Sequence, residues 1–280
     1  MLFRSGARVT PFESETATSA LGDGRYSVDI SGNWSVPTGP NGGYVAAVIL
    51  RALTAEVDDP ERSPRSLTIH YLSAARPGPA EVRVAVERTG RSLTSLTARL
   101  VQGDRLIAIA TAAFSSPRSS VEFCDLTMPA IPGPEHYRAP TLPADALPIA
   151  RRWDTRWAIG RPRSPMNPGP TADRAVAGGW IRLPECQPID AMVAAAITDA
   201  WMPPVFSKVD AMIAVPTVDL TIHFRSALPL ATLAADDFVL AVFRTNVIAE
   251  GFLEEDGEVW APDGTLIAQS RQLAVVMPFG

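Results

Sequence analysis

The 280-residue sequence contains little histidine, two cysteines and a single lysine, Lys208. Its positive charge is therefore carried by arginine, and the net charge is −5. An acidic chain without a run of basic residues lacks the charge pattern typical of nucleic-acid binding. Cys124 and Cys186 lie far apart, which argues against a disulfide framework and against a paired-cysteine metal site. We expect no nucleic-acid partner, no metal and no other cofactor.

Long apolar runs are also missing. No segment approaches the roughly 20 apolar residues that cross a membrane, and residues 1–15 lack the apolar stretch of a secretion signal. We therefore expect a cytoplasmic protein without a membrane span. The apolar fraction of 46% is that of a globular protein with sizeable cores. The length suits two domains of roughly 110 to 130 residues each.

The segment from Pro188 to Trp201, PIDAMVAAAITDAW, predicts a helix that is buried on all sides. Asp190 is a candidate N-cap just after Pro188. Residues 191–197 carry no polar side chain, and a helix that is apolar all round belongs inside a domain. Asp199 falls in the predicted last turn. A carboxylate in such surroundings is costly to bury unless it is hydrogen-bonded or functional, so Asp199 is our first candidate site residue.

An internal repeat divides the chain into two halves. Three pairs of segments recur in the same order: 42–53 with 190–201, 67–71 with 220–224, and 103–114 with 263–274. The offsets grow slowly (42 to 190 is 148 residues, 67 to 220 is 153, and 103 to 263 is 160), as lengthening loops would cause. Each half contains a buried helix followed by alternating strands. This order predicts an α+β fold in which a curling sheet wraps around each helix.

A proline-rich stretch separates the halves. Residues 117–170 contain 11 of the 26 prolines, and proline is unfavourable in both ladders and helix interiors. We predict an N-terminal unit at 1–120, a covering linker at 121–174 and a C-terminal unit at 175–280. One short helix or strand is expected in the linker near residues 150–157.

Several segments resemble one protein family. In the first half these are PNGGYVAA, SLTIHYLSAARPG and ERTGRSLTSLTARLVQGDRLIAIATAAF; in the second half they are the Asp-bearing helix, PTVDLTIHFRSALP and LIAQSRQ. Together they resemble the acyl-CoA thioesterase II (TesB-like) family of the hotdog-fold superfamily. The resemblance implies a tandem double hotdog, with two central helices each wrapped by an antiparallel sheet, the two forming one continuous sheet. It also implies hydrolysis of an acyl-CoA substrate.

The resemblance further implies three catalytic residues in the second unit, at Asp199, Thr217 and Gln272. Asp199 would act as a base or orient water, Thr217 would hold that water, and Gln272 would orient it, because an amide cannot serve as a base. The sequence departs from the family pattern at Leu273 and Ala274, where an acidic residue and a glycine are expected.

Each of these residues also has an ordinary structural interpretation. Asp199 fits a helix-end carboxylate, and Thr217 fits a β-branched strand residue. Strict alternation puts Thr217, Asp219, Thr221 and His223 on one face of the strand, and Leu220 with its apolar neighbours on the other. Gln272 alternates with the small residues Ala268, Ser270 and Ala274, a face suited to lie against a helix.

Aligning the repeat places Arg51, Pro64 and Ala112 opposite the three candidates, so the first unit lacks all three polar groups. Its helix opens instead with Gly42, Gly43 and Tyr44. Glycines at a helix start let a substrate approach free N–H groups at the positive end of the dipole. We hypothesise one composite site per chain, with an oxyanion hole at these three residues. Ordinary turn chemistry is the alternative for 41–43.

Two other functions remain open. One is a non-catalytic acyl-CoA or lipid-binding hotdog protein. The other is a double-hotdog enoyl-CoA hydratase, which would need a histidine that neither predicted helix contains. Because edge strands of such sheets commonly pair, we also expect a homodimer of these two-unit chains.

Overall fold

A computed structural model describes residues 9–161, 172–209 and 213–278. Residues 1–8, 162–171 and 279–280, which fall in the predicted units and linker, lie outside the described residues, as do residues 210–212. The helices are α1 (Pro11–Glu15), α2 (Gly42–Val57) and α3 (Ala191–Ile197). The strands are β1 (Ser19–Gly22), β2 (Arg25–Ile30), β3 (Ser35–Val36), β4 (Gly39–Pro40), β5 (Ser63–Tyr71), β6 (Gly78–Thr89), β7 (Leu93–Gln102), β8 (Arg105–Ser115), β9 (Asp154–Ile159), β10 (Ala175–Arg182), β11 (Ile213–Ala214), β12 (Thr217–Phe224), β13 (Val239–Thr245), β14 (Ile248–Ala249), β15 (Phe252–Trp260), β16 (Leu266–Val275) and β17 (Met277–Pro278).

One continuous antiparallel sheet runs through both halves. Its strand order is β1-β2-β6-β7-β8-β5-β12-β16-β15-β13-β10-β9, with β14 paired to β15. The two halves of this order correspond strand by strand when each is counted from its outer edge. The strands β5 and β12 pair at the centre. In each half the central helix comes after the first two strands of this sheet along the chain, β1 and β2 before α2, and β9 and β10 before α3. The expected double hotdog, with one sheet wrapped around two helices, is confirmed.

The register of the central strands reproduces the sequence repeat. Thr68 lies opposite Thr221, 153 residues later, and the two hydroxyl oxygens are 3.1 Å apart. Ala112 pairs with Leu67 in the first half, as Gln272 pairs with Leu220 in the second. The alignment of Ala112 with Gln272 therefore holds in three dimensions. A pseudo-twofold axis passes beside the Thr68–Thr221 pair.

Both central helices are enclosed. Every residue of α2 from Gly43 to Leu50 is buried, and in α3 only Met192 is partly exposed. Asp190 caps α3 as expected, its carboxylate accepting the Val193 N–H at 2.8 Å. An apolar helix of this kind is stable only with neighbours on all sides, here the sheet and the other helix. Among the described residues, no helix combines the length and apolarity that a membrane crossing requires.

The proline-rich segment covers the outer face of the second half of the sheet. There, Trp180 and Trp260 form a second apolar cluster, against which Met128 and Ile131 pack. The Trp180 indole N–H donates to the Pro132 carbonyl at 2.8 Å. The short element expected near residues 150–157 is the strand β9, which pairs with β10 at the sheet edge. The boundaries at 120 and 175 stay predictions.

We expect Ile222→Ala to destabilise the fold much more than His223→Ala. Ile222 lies on the inner face of the central strand and is fully buried, so its truncation should lower the free energy of unfolding by about 2–5 kcal/mol. His223 is the next residue on the exposed face, where truncation should cost within about 0.5 kcal/mol. Urea unfolding of the two variants measures both values, and equal losses would contradict the assigned faces.

Candidate active site

Asp199 lies in the turn that follows α3, and the expectation that it belongs to the last helical turn is wrong. The helix ends at Ile197 with Thr198 as its C-cap. The next N–H groups bond three residues back: Asp199 N donates to Ala196 O at 3.4 Å, and Ala200 N to Ile197 O at 3.1 Å. Such tightening is common where a helix ends. It turns the Asp199 carboxylate towards the start of α2.

The start of α2 holds that carboxylate. The Gly43 N–H donates to Asp199 Oδ2 at 2.9 Å. Asn41 Nδ2 donates to the same oxygen at 2.9 Å and to the Asp199 carbonyl at 2.8 Å. Asn41 is also the N-cap of α2, since its Oδ1 accepts the Tyr44 N–H at 3.1 Å. The sequence indicated Asn41 only as a turn residue, and its contact with the second unit was missed.

The two glycines are required by close packing. A Cβ atom on Gly42 would lie 2.8 Å from Asp199 Oδ2, and one on Gly43 would lie 2.6 Å from the Ala196 carbonyl. A Cβ on Gly43 would clash with backbone, whereas a Cβ on Gly42 would displace the Asp199 carboxylate from its position. The Tyr71 hydroxyl secures the same turn by donating to the Gly42 carbonyl at 2.8 Å. The sequence prediction that Gly42 and Gly43 allow a close approach therefore applies first to Asp199 itself.

Tyr44 has its polar groups engaged inside the protein. Its ring stacks on Trp34, with 5.5 Å between the ring centroids. Its hydroxyl donates to the Glu15 carbonyl and accepts the Ser31 N–H. Because its backbone N–H is bonded to Asn41, Tyr44 contributes to the site by fixing the cap.

Thr217 and Gln272 meet on the inner face of the sheet, although alternation predicted Thr217 on the outer face. The strand β12 contains a β-bulge: Thr217 pairs with Ala274, and Asp219 pairs with Leu273, so Val218 is an extra residue. The bulge returns Thr217 to the face of Gln272. The Thr217 hydroxyl donates to Gln272 Oε1 at 2.9 Å. The predicted facing of Thr217 is wrong, because strict alternation holds only for a strand without a bulge.

Gln272 has a second partner that sequence reasoning missed. Its Nε2 donates to Glu255 Oε1 at 2.8 Å, and the two residues lie directly opposite each other on β16 and β15. Gln272 is 5% exposed and Glu255 is 4% exposed. The two-residue alternation of Leu253, Glu255 and Gly257 was the only signal that placed Glu255 inside.

The two carboxyl groups have different protonation properties. Burial raises the pKa of Asp199 to about 6, while the Gly43 N–H and the amides of Asn41 and Gln272 act in the opposite direction. Burial raises the pKa of Glu255 to about 8; the charge of Asp199 raises this pKa further, and the hydrogen bond from Gln272 lowers it. Near neutral pH, Asp199 is therefore mostly ionised and Glu255 mostly protonated. Environments that separate two pKa values in this way are typical of acid–base sites.

The equivalent place in the first unit is filled. Arg51, the counterpart of Asp199, donates through Nε and Nη2 to the Thr16 hydroxyl at 3.1 and 2.9 Å. Thr16 ends α1 and is fully buried, as is Phe12 within that helix. The polar set is thus confined to the second half.

The polar groups around Asp199 suit a water molecule. Within the described ranges, no three His, Cys, Asp or Glu side chains come together so as to hold an ion. Asp199 Oδ2 accepts the N–H groups of Asn41 and Gly43. The arrangement suits an activated water, because it combines an ionised base with a hydroxyl and an amide that can orient a small polar molecule.

We expect Asp199→Asn to stabilise the protein at neutral pH. The pKa of Asp199 is above its ordinary value of 3.8 in the folded state, so the folded state binds the proton more tightly than the unfolded chain. The resulting stability is present below about pH 4 and is lost as the pH rises through about 6. The variant removes this loss and should gain about 1–3 kcal/mol at pH 7.5 and much less at pH 4.

Thermal and urea unfolding at both pH values measure this difference. Asp125→Asn, which removes the same charge at an exposed position, is the control. A stability gain for Asp199→Asn that is equal at pH 4 and pH 7.5 would contradict the assigned titration.

Comparisons with known proteins match both halves of the chain. The family model of the acyl-CoA thioesterase N-terminal domain matches residues 30–115, and that of the acyl-CoA thioesterase C-terminal domain matches residues 129–276. An uncharacterized protein of Mycobacterium tuberculosis is 24% identical over 300 residues, which span 98% of each chain.

Solved structures share the architecture. A hot dog fold protein of unknown function from Alicyclobacillus acidocaldarius has a TM-score of 0.85 at 26% identity, covering 97% of this chain and 99% of that chain. The acyl-CoA thioesterase II TesB2 from Mycobacterium marinum has a TM-score of 0.74 at 19% identity, covering 96% of this chain and 99% of that chain. With both domain models matched over most of its length, the chain belongs to the acyl-CoA thioesterase family.

Proposed function

We propose that the protein hydrolyses the thioester of an acyl-CoA to a free acid and coenzyme A, using a water positioned by Asp199, Thr217 and Gln272. The proposal is carried by the hydrogen bond from the Thr217 hydroxyl to Gln272, whose amide in turn lowers the pKa of the Asp199 carboxyl group. Family membership supports thioester hydrolysis in general.

The ionised Asp199 takes a proton from the water as the water oxygen attacks the thioester carbonyl carbon. Thr217 donates its own hydroxyl proton to Gln272 Oε1, so its oxygen is left to accept a hydrogen bond from that water. The resulting tetrahedral intermediate then expels the sulfur: the C–S bond breaks, and Asp199 returns the proton to the leaving thiolate. One water is consumed, and the products are the acid and the thiol.

The start of α2 is the candidate for stabilising the oxyanion. Its N–H groups and the positive end of its dipole lie beside Asp199. The Gly43 N–H is bonded to Asp199 and the Tyr44 N–H to Asn41. The Gly42 N–H also lowers the pKa of Asp199, but it has the smallest effect among the hydrogen-bonding groups that do so. We therefore assign the Gly42 N–H to the thioester oxygen when substrate is bound, with Gly43 and Tyr44 holding the groups around it.

The expected homodimer and the cytoplasmic setting stay part of this proposal. The continuous sheet ends at β1 and β9, and all four residues of β1 are exposed. Exposed edge strands are the usual place where a second chain adds to a sheet.

We expect the protein to release free thiol from acyl-CoA, and Asp199→Asn to lower kcat by about 10²–10⁴-fold, because the amide cannot accept the proton from water. A thiol reagent follows the reaction over a panel of acyl-CoA substrates from acetyl to palmitoyl, including branched and aromatic acids.

Asp219→Asn is the matched control, since Asp219 lies two residues after Thr217 on the opposite face. Tight binding of acyl-CoA without thiol release would favour the non-catalytic alternative. Loss of enoyl absorbance from an enoyl-CoA without thiol release would favour the hydratase. Unchanged turnover in a folded Asp199→Asn protein would remove Asp199 from the mechanism.

A further inference from the structure

Glu255 is a buried acid next to the proposed catalytic residues, with only half of its carboxyl group bonded. Its Oε1 accepts the Gln272 amide at 2.8 Å. Its Oε2 is fully buried and has no hydrogen-bond partner among the described residues. Burying an unsatisfied carboxyl oxygen costs stability, so such a group calls for an explanation other than packing.

The repeat shows that the fold does not need an acid at this position. Glu255 pairs with Gln272 across β15 and β16, as Leu96 pairs with Ala112 across β7 and β8. Ala112 is the counterpart of Gln272, so Leu96 is the counterpart of Glu255. Leu96 is buried at 1% exposure. The first unit therefore has leucine at this position, next to alanine. The second unit has an acid at the same position, next to the amide of Gln272.

The surroundings of Glu255 favour its neutral form. The charges acting on it come from Asp199 after α3 and from Glu254 and Asp256 on its own strand, and all three are acidic. On the neighbouring strand β13, Arg244 pairs with Asp256. Continuing this pairing by one residue places Thr245 opposite Glu255. The Thr245 hydroxyl is buried and likewise has no partner among the described residues. Cations near the strand are engaged elsewhere, Arg244 with Glu258 and Arg271 with Asp256.

We propose that Glu255 is a positioning residue of the hydrolase: as a neutral acid it fixes the Gln272 amide, and through it the Thr217 hydroxyl, beside Asp199. The inference rests on the proposed function, because it assigns Glu255 a role in that reaction. With Nε2 bonded to Glu255, Gln272 can present only Oε1 to Thr217. The Thr217 proton then points away from the water, and the Thr217 oxygen faces it.

Ionisation of Glu255 should stop this function. A second negative charge beside Asp199 would destabilise both the ionised carboxylate of Asp199 and the oxyanion that develops in the reaction. Burial and the Asp199 charge together raise the pKa of Glu255 to about 8, so activity should fall on the alkaline side as that proton is lost. The acidic side of the profile should follow Asp199, whose pKa burial raises to about 6. Because the two groups interact, the profile reports the pair.

The test compares three variants. Glu255→Leu copies the first unit and should lower kcat by about 10–100-fold with KM little changed, since a misplaced catalytic group costs rate. Glu255→Gln keeps an acceptor for the Gln272 amide and should recover part of that loss. It should also remove the alkaline fall in activity. Glu254→Gln, a neighbour on the opposite face of the strand, removes the same charge and should keep the alkaline fall. Thermal unfolding checks that each variant folds.

A second readout does not depend on activity. Infrared difference spectra of the parent protein should contain the carbonyl band of a buried protonated acid at pH 7. That band should vanish at pH 10 and be absent from Glu255→Gln. An absent band in the parent protein would overturn the proposal whether or not any substrate is hydrolysed.

The two proposals fail in different ways. If the parent releases thiol but Glu255→Gln keeps the alkaline fall, or Glu255→Leu matches the parent, the role of Glu255 is overturned and the hydrolase stands. If Glu255→Leu does not fold, Glu255→Gln and its pH profile still decide. If the parent releases no thiol from any acyl-CoA, the proposed function fails, and with it the role of Glu255 in that reaction.

Discussion

The site depends on the contact between the start of α2 and the turn after α3. A carboxylate enclosed by apolar residues is unfavourable unless hydrogen bonds offset the loss of water. The Gly43 N–H and the Asn41 amide provide this compensation for Asp199 across the two units. The approach is close enough that any Cβ on Gly43 would clash with the Ala196 carbonyl. The first unit therefore supplies no acid, hydroxyl or amide of the predicted triad, yet it determines where the acid lies.

The sheet contributes through an irregularity. On a regular ladder Thr217 would face away from the helices, and its hydroxyl could not reach Gln272. The extra residue Val218 turns the Thr217 side chain to the inner face of the sheet. The alternation from Leu220 onwards is unchanged. Bulges re-aim side chains in this way at many functional sites. On the next strand, Glu255 then bonds the far end of the Gln272 amide.

Much of this arrangement is predictable from sequence, because local patterns govern it. The apolar run after Asp190 predicts a buried helix with that residue as its cap, and the repeat identifies Thr68 and Thr221 as equivalent residues, which the structure places opposite each other. The facing of Thr217 is not predictable by alternation, since no residue type announces the bulge. Glu255 stands in an acidic run that resembles a solvated edge, and the two-residue alternation with Leu253 and Gly257 is the one weak signal that it is buried. Asn41 fits an ordinary turn, and nothing in the sequence indicates its bond to Asp199.

The bulge also occurs in the first half, where β5 carries an extra residue between Pro64 and Ser66. The counterpart of Thr217 there is Pro64, which has no hydroxyl, so the bulge is a feature that both halves of the sheet share. In the first half, the place equivalent to Asp199 is occupied by Arg51, which donates to the hydroxyl of Thr16 at the end of α1. Although the two halves match in fold, each polypeptide therefore carries the three proposed catalytic residues once, and the proposed stoichiometry is one reaction centre per chain.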